Sequence, residues 1–255
     1  MDWIIFYPLF IVGAIVGSFL NVVIYRLPRN ESIIQPRSHC PQCKAPIQWY
    51  RNIPIVSYLI QRGKCAECKS QISWQYPIVE LITGLIWGWS FATLDPQLAL
   101  FFSILGSVLL TIAWIDGQHM LIPLALSVTA LAIVILAIVL NIVPWRNALL
   151  GVLVGVCIPA LVIGIMYLST KRIGMGFGDL QLGLILGLWL GPFKMVAALL
   201  LASLLVIIVW AGISLRSGWD RNRPLPFAPY LIVSSYFVYI TGYYQSDFIA
   251  GILLT

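Results

Sequence analysis

Charge is scarce in this 255-residue chain: Asp, Glu, Lys and Arg make up 9% of it, against about 25% in a soluble domain. Hydrophobic residues make up 60%, and the mean hydropathy is +0.95. This balance excludes an ordinary soluble globule and predicts a polytopic membrane protein with a small soluble part. Acidic residues number only nine. A carboxylate at membrane depth costs about 3 kcal/mol and by default marks a functional site with a partner, so each acid beside an apolar run stands out. The N-terminus, Met1-Asp2-Trp3, lacks the basic stretch of a cleavable signal peptide. Residues 4–25 are therefore expected to stay as a spanning helix, which needs about 20 apolar residues. No glycine-rich nucleotide-binding turn follows a strand pattern. No inverted repeat with paired broken helices stands out, which weighs against a transporter or channel. The net charge of +6 would point to nucleic acid in a soluble protein. Here it fits basic residues held on the cytosolic side of a lipid bilayer, and no nucleic-acid partner is expected.

Apolar runs predict spans at 4–25, 77–94, 97–115, 120–142, 147–168, 179–192, 195–215 and 226–244. The segment 179–192 is short for a ~30 Å apolar core and reads as tilted or partly re-entrant. Residues 245–255 are left unassigned. Gly17, Ser18 and Asn21 in the first span are expected to face other helices, because small and polar residues let helices approach. Residues 26–76 differ in kind, with eight of the fifteen Lys and Arg and four of the five cysteines. With that segment cytosolic, alternate turns carry thirteen basic residues inside and two, Arg146 and Lys194, outside. The positive-inside bias puts the N-terminus outside. The division is then 1–25, a first transmembrane helix; 26–76, a cytosolic four-cysteine module; and 77–255, a transmembrane domain.

In the module, Cys40-x-x-Cys43 and Cys65-x-x-Cys68 stand 21 residues apart. Two such pairs fit a closed four-thiolate zinc site, which is structural because no position is open to water. Two disulfides or a redox pair are the alternatives, and a cytosolic location argues against stable disulfides. A loop of about 50 residues with few apolar groups needs such a staple. Lys44, Arg62, Lys64 and Lys69 read as a solvated face near anionic headgroups. His39 could compete as a ligand. Cys157, among apolar residues, reads as inert packing.

Two acids remain at the ends of apolar runs: Asp116, in Ala113-Trp114-Ile115-Asp116-Gly117, and Asp179, in Gly174-Met175-Gly176-Phe177-Gly178-Asp179. The first ends an inward-running helix and the second starts an outward-running one. Both thus fall at the cytosolic face, where residues 63 positions apart can meet. Two carboxylates held close share a proton. One can activate water while the other donates a hydrogen bond to a scissile carbonyl. The alternative is that each simply faces the headgroups. His119 could orient Asp116, though it reads more readily as a loop histidine. Glu80 could bind a positive group or cap its helix.

The ordered set of motifs resembles the type IV prepilin peptidases, the leader peptidase/N-methyltransferases. It comprises Gly17-Ser18-Phe19-Leu20-Asn21-Val22 with Arg26-Leu27-Pro28, the block Arg37–Pro54, Cys65 and Cys68, Ile72-Ser73, Tyr76–Glu80, Ile115-Asp116 with Ile122-Pro123, and Gly174–Asp179; Pro226–Pro229 matches loosely. The Gly-x-Gly-Asp element alone is also similar to presenilin-type intramembrane proteases. The resemblance implies a membrane aspartic endopeptidase that cuts the basic leader of type IV prepilins or type II secretion pseudopilins after a glycine. It further implies N-methylation of the new N-terminus with S-adenosylmethionine. It assigns catalysis to Asp116 and Asp179 and structural zinc to Cys40, Cys43, Cys65 and Cys68, in the bacterial cytoplasmic (inner) membrane. It assigns no residue to the methyl donor. Leu124 replaces a usual acid after Ile122-Pro123, and Gln181 replaces a frequent lysine after Asp179. The expected fold is all-α and polytopic, with about eight transmembrane helices and the zinc-stapled module between helices 1 and 2.

Overall fold

The computed structural model describes residues 2–171, 176–220 and 223–253, with the side chains of 170 and 244–253 excepted. Gly174 and Met175 of the glycine motif, and Arg172 and Arg221, lie outside the described residues. No strand occurs among the described residues. The helices are α1 (Trp3–Arg26), α2 (Val56–Ile60), α3 (Gln75–Thr93), α4 (Pro96–His119), α5 (Leu124–Val139), α6 (Trp145–Thr170), α7 (Phe177–Ser217) and α8 (Ala228–Leu253). Every expected apolar segment coincides with a helix or part of one. By length and composition, four stretches suit a membrane crossing: Trp3–Arg29, Pro96–His119, Trp145–Ser169 and Phe177–Ser217. Leu124–Val139 is apolar but shorter.

The expected segments 179–192 and 195–215 join in α7, whose 41 residues would reach about twice the ~30 Å apolar core at about 1.5 Å per residue. The join is not smooth. Gly191 has φ 74° and ψ 177°, a region open essentially to glycine. Pro192 follows, has no N–H to give, and disfavours helical backbone in the residue before it. The pair Gly191-Pro192 thus breaks the helix where the two segments were expected to part.

The chain forms two compact units, Met1–Thr111 and Ile112–Thr255. In the first, α1 packs along α3 through glycines. A Cβ on Gly13 would lie 2.6 Å from Trp87 Cβ, and one on Gly17 would lie 2.8 Å from Glu80 Cα. The aromatic rings of Phe6 and Phe10 fill the space over Gly88 and Gly84. Asn21 is buried and donates to the Tyr76 carbonyl at 3.1 Å. Gly17 and Asn21 therefore face a neighbouring helix as expected, while Ser18 is half-buried. Several buried hydroxyls are satisfied within their own helices: Thr83 donates to Val79 O, and Ser107 to Ser103 O, each at 2.8 Å. A bilayer offers no water to do this.

In the second unit, α6 and α7 meet backbone to backbone. A Cβ on Gly155 would lie 2.1 Å from the Gly183 carbonyl oxygen, and one on Gly151 would lie 2.0 Å from that of Gly187. Two small-x-x-x-small pairs, Gly151/Gly155 and Gly183/Gly187, create this seam, the usual device for close helix approach in lipid.

Candidate functional site

The cysteine module is built from two copies of one turn. In the first, Cys40 N donates to Ala45 O and Lys44 N to Cys40 O, both at 2.9 Å. In the second, Cys65 N donates to Ser70 O at 2.8 Å and Lys69 N to Cys65 O at 3.1 Å. Lys44 and Lys69 both sit at φ 60°, in the left-handed region that lets so short a chain reverse. Each turn is closed by a single antiparallel bridge, His39 to Pro46 and Lys64 to Gln71. The four cysteine sulfurs thereby come within 4.8 Å of one another.

That arrangement fits a metal. Thiolates about 2.3 Å from a tetrahedral zinc are about 3.8 Å apart, and the Cys40 and Cys68 sulfurs are separated by 3.9 Å. All four are free thiols. Burial raises the Cys40 thiol, but the N–H groups of Cys43 and Gln42 and the Ser70 hydroxyl outweigh it and bring its pKa down to about 6. At Cys43 the Ala45 N–H lowers the value, while burial and the other three sulfurs push it up to about 11. The Ser70 hydroxyl and N–H also lower the Cys68 thiol, and a cation would draw the remaining protons off. His39 stays outside the cluster, with Nδ1 3.0 Å from Arg37 O. Cys157 is exposed on α6, not packed in a core.

Asp116 and Asp179 both belong to the second unit. Asp116 lies near the end of α4, 5% exposed, and its Oδ2 accepts from the Ala228 N–H at 3.2 Å. Asp179 lies in the first turn of α7, where its Oδ2 accepts from the Gly176 N–H at 3.2 Å and caps the helix. The two carboxylates are within electrostatic reach of each other. Gly178 explains how the strand of chain before Asp179 comes so near. A Cβ there would lie 2.9 Å from Ile122 Cβ, six residues beyond Asp116. His119 is exposed at the last turn of α4, and Leu124 is exposed at the first residue of α5.

Glu80 reaches a backbone N–H of the module rather than the start of its own helix. It is 6% exposed, and its Oε2 accepts from the Ile55 N–H at 2.7 Å. It therefore ties the module to α3. It also lines a cavity of about 320 Å³ that is walled by both cysteine turns, α2 and the start of α3. Tyr25, Tyr58 and Tyr76 line the same cavity. Its size falls in the range of small-molecule sites, about 300–1,000 Å³, and a buried carboxylate with aromatic rings suits a cationic, ring-bearing cofactor.

These features define a class: a multi-pass helical membrane protein with a four-cysteine cluster that could hold a metal ion. Comparison with known proteins narrows it. Residues 11–94 match the Bacterial Peptidase A24 N-terminal domain, and residues 103–211 match the Type IV leader peptidase family. The prepilin leader peptidase/N-methyltransferase of Myxococcus xanthus is 38% identical over 218 residues, which cover 82% of this chain and 63% of that protein. Its counterpart in Neisseria gonorrhoeae is 33% identical over 264 residues, covering 90% of this chain and 88% of that one. That of Aeromonas salmonicida is 32% identical over 269 residues, covering 95% and 92%. No solved structure matches. The chain belongs to the type IV leader peptidase family, and it is an enzyme.

Proposed function

We propose that this enzyme removes the basic leader of type IV prepilins or type II secretion pseudopilins after a glycine and then N-methylates the new N-terminal residue. What supports the reading is the placement of Asp116 and Asp179, two acids 63 positions apart that fall in one packed unit where Gly178 abuts Ile122. In the proposed hydrolysis one carboxylate takes a proton from water as the water oxygen bonds to the scissile carbonyl carbon. The other, protonated, donates a hydrogen bond to that carbonyl oxygen. When the C–N bond breaks, the leaving amine takes up the proton. The Ala228 N–H holds one oxygen of Asp116 and the Gly176 N–H one oxygen of Asp179, so both side chains are oriented before substrate arrives.

Cys40, Cys43, Cys65 and Cys68 would hold Zn²⁺ in a closed structural site. S-adenosylmethionine, when bound, supplies the methyl group: the amine nitrogen bonds to the methyl carbon, the carbon–sulfur electron pair stays on sulfur, and the amine sheds a proton. The distribution of Lys and Arg supports a cytosolic position for the module at 26–76 and for both aspartates in the bacterial inner membrane. Eight crossings, with α7 counted as two at Gly191, fit that distribution.

The test is co-incubation with a prepilin, read by mass spectrometry with and without S-adenosylmethionine. The expected product is cut after glycine and gains one methyl mass only with the donor present. An uncut prepilin, or a cut deep inside the apolar segment, would overturn the proposal.

A further inference from the structure

The methyl donor has no residue assigned to it by sequence, and the cavity in the first unit is where the chemistry for it collects. The carboxylate of Glu80 lines that cavity at 6% exposure. A buried acid of this kind needs hydrogen bonds or a cation. The Ile55 N–H at 2.7 Å supplies one hydrogen bond.

The turn that Glu80 holds, between the lining residues Ile53 and Ser57, is strained. Ile55 has φ 61° and ψ −52°, and Val56 N donates to Pro54 O at 2.5 Å. That is a γ-turn of the rare positive-φ kind, here at a β-branched residue, where such a φ is a true outlier. Strain of this sort persists where surrounding groups over-determine it and gathers at ligand clamps.

The rest of the lining selects the ligand's chemistry. Tyr25, Tyr58 and Tyr76 bring three aromatic rings to one cavity. The one lining guanidinium, Arg51, is already paired with Glu67 at 2.8 Å. Apart from the sulfurs of Cys40 and Cys65, Glu80 is thus left as the charge that a ligand would meet. The interior asks for a cation that aromatic faces can also receive, in a molecule that fills about 320 Å³. A sulfonium joined to an adenine ring meets both demands.

We propose that this cavity is the S-adenosylmethionine site, with Glu80 and the tyrosine rings receiving the sulfonium end. The assignment rests on the methyl-transfer reading above. It is tested by equilibrium binding of S-adenosylmethionine and of its uncharged thioether product, S-adenosylhomocysteine, to the zinc-loaded full chain in detergent. Zinc content reports folding. Glu80→Gln keeps an acceptor for Ile55 and removes the charge. It should weaken S-adenosylmethionine about tenfold, or about 1.4 kcal/mol, and the thioether far less. Asn52→Trp, at an exposed lining position, should weaken both ligands at least about tenfold by filling the space.

Photo-crosslinking of methyl-labelled donor to the wild-type chain should label peptides between Tyr25 and Glu80, and this result stands whether or not a variant folds. Label confined to residues beyond Thr111, or undiminished binding by zinc-loaded Asn52→Trp, overturns the site. Equal weakening of both ligands by Glu80→Gln overturns the charge reading. A wild-type chain that binds neither ligand and methylates no cleaved pilin overturns the methyltransferase reading itself. A chain that methylates but is labelled elsewhere overturns only the cavity.

Discussion

The thiols at 40, 43, 65 and 68 are gathered by turns that each close within six residues, whereas the carboxylates at 116 and 179 are placed in one packed unit by long helices. The first arrangement has little core of its own. Trp49 is 80% exposed and Trp74 69%, so a bound metal would add stability that the module's own packing does not supply. The second draws it from backbone contact between α6 and α7. The two sites should therefore fail under different insults, and each insult should spare the other site.

The largest effect expected is from stripping the metal. A strong chelator, or Cys65→Ser, removes a binding free energy of about 10–16 kcal/mol in comparable structural sites. Hydrogen exchange across residues 38–73 should lose its protection while the α6–α7 seam stays protected. Uniform protection in the chelated protein would mean that the module folds without metal. Next come the acids. Asp116→Asn and Asp179→Asn should each lower prepilin cleavage by at least about 10²–10⁴-fold, the range of general acid–base contributions, with zinc content unchanged. Wild-type cleavage by either variant would show that the carboxylates do not act as a pair.

Gly155→Ala is expected to cost about 1–3 kcal/mol as an overpacked contact, since its Cβ would lie 2.1 Å from the Gly183 oxygen and a backbone cannot swing aside. Thermal unfolding should drop, and cleavage with it, because Asp179 rides on α7. A smaller loss, below about 1 kcal/mol, is expected from Gly88→Ala. Its nearest neighbour is the ring edge of Phe6 at 2.9 Å, and a ring can shift. Equal losses from the two glycines would mean that the two seams are packed alike.

How much of this was legible in the sequence follows from the range of the interactions. The cysteine spacing is a local property, so the four-thiol cluster could be read directly. Apolar runs located the helices, and Gly191-Pro192 marked the break in α7 even though the two halves join. The aspartates stand out in the sequence as exceptions to an apolar background. Glu80 stands out in the same way, but its hydrogen-bond partner does not, because Ile55 lies 25 positions away and offers only a backbone N–H. Nor does the turn at Ile55, since a β-branched residue argues against positive φ. The spacing of Gly151, Gly155, Gly183 and Gly187 did carry the α6–α7 seam; small residues four apart in two apolar runs are the signal for it. Cys157 was expected to be packed and is exposed, because a helix apolar on all sides does not reveal which face meets protein.

The near-identity of the two cysteine turns has one more consequence. Cys40–Ala45 and Cys65–Ser70 repeat the same hydrogen bonds and the same left-handed lysine, so the hexapeptides should be interchangeable parts. Transplanting either into the other's place ought to leave metal affinity almost untouched, and evolution would then be free to remodel the 21 residues between Cys43 and Cys65, where α2 and the Ile55 turn reside, without disturbing the clasp that flanks them.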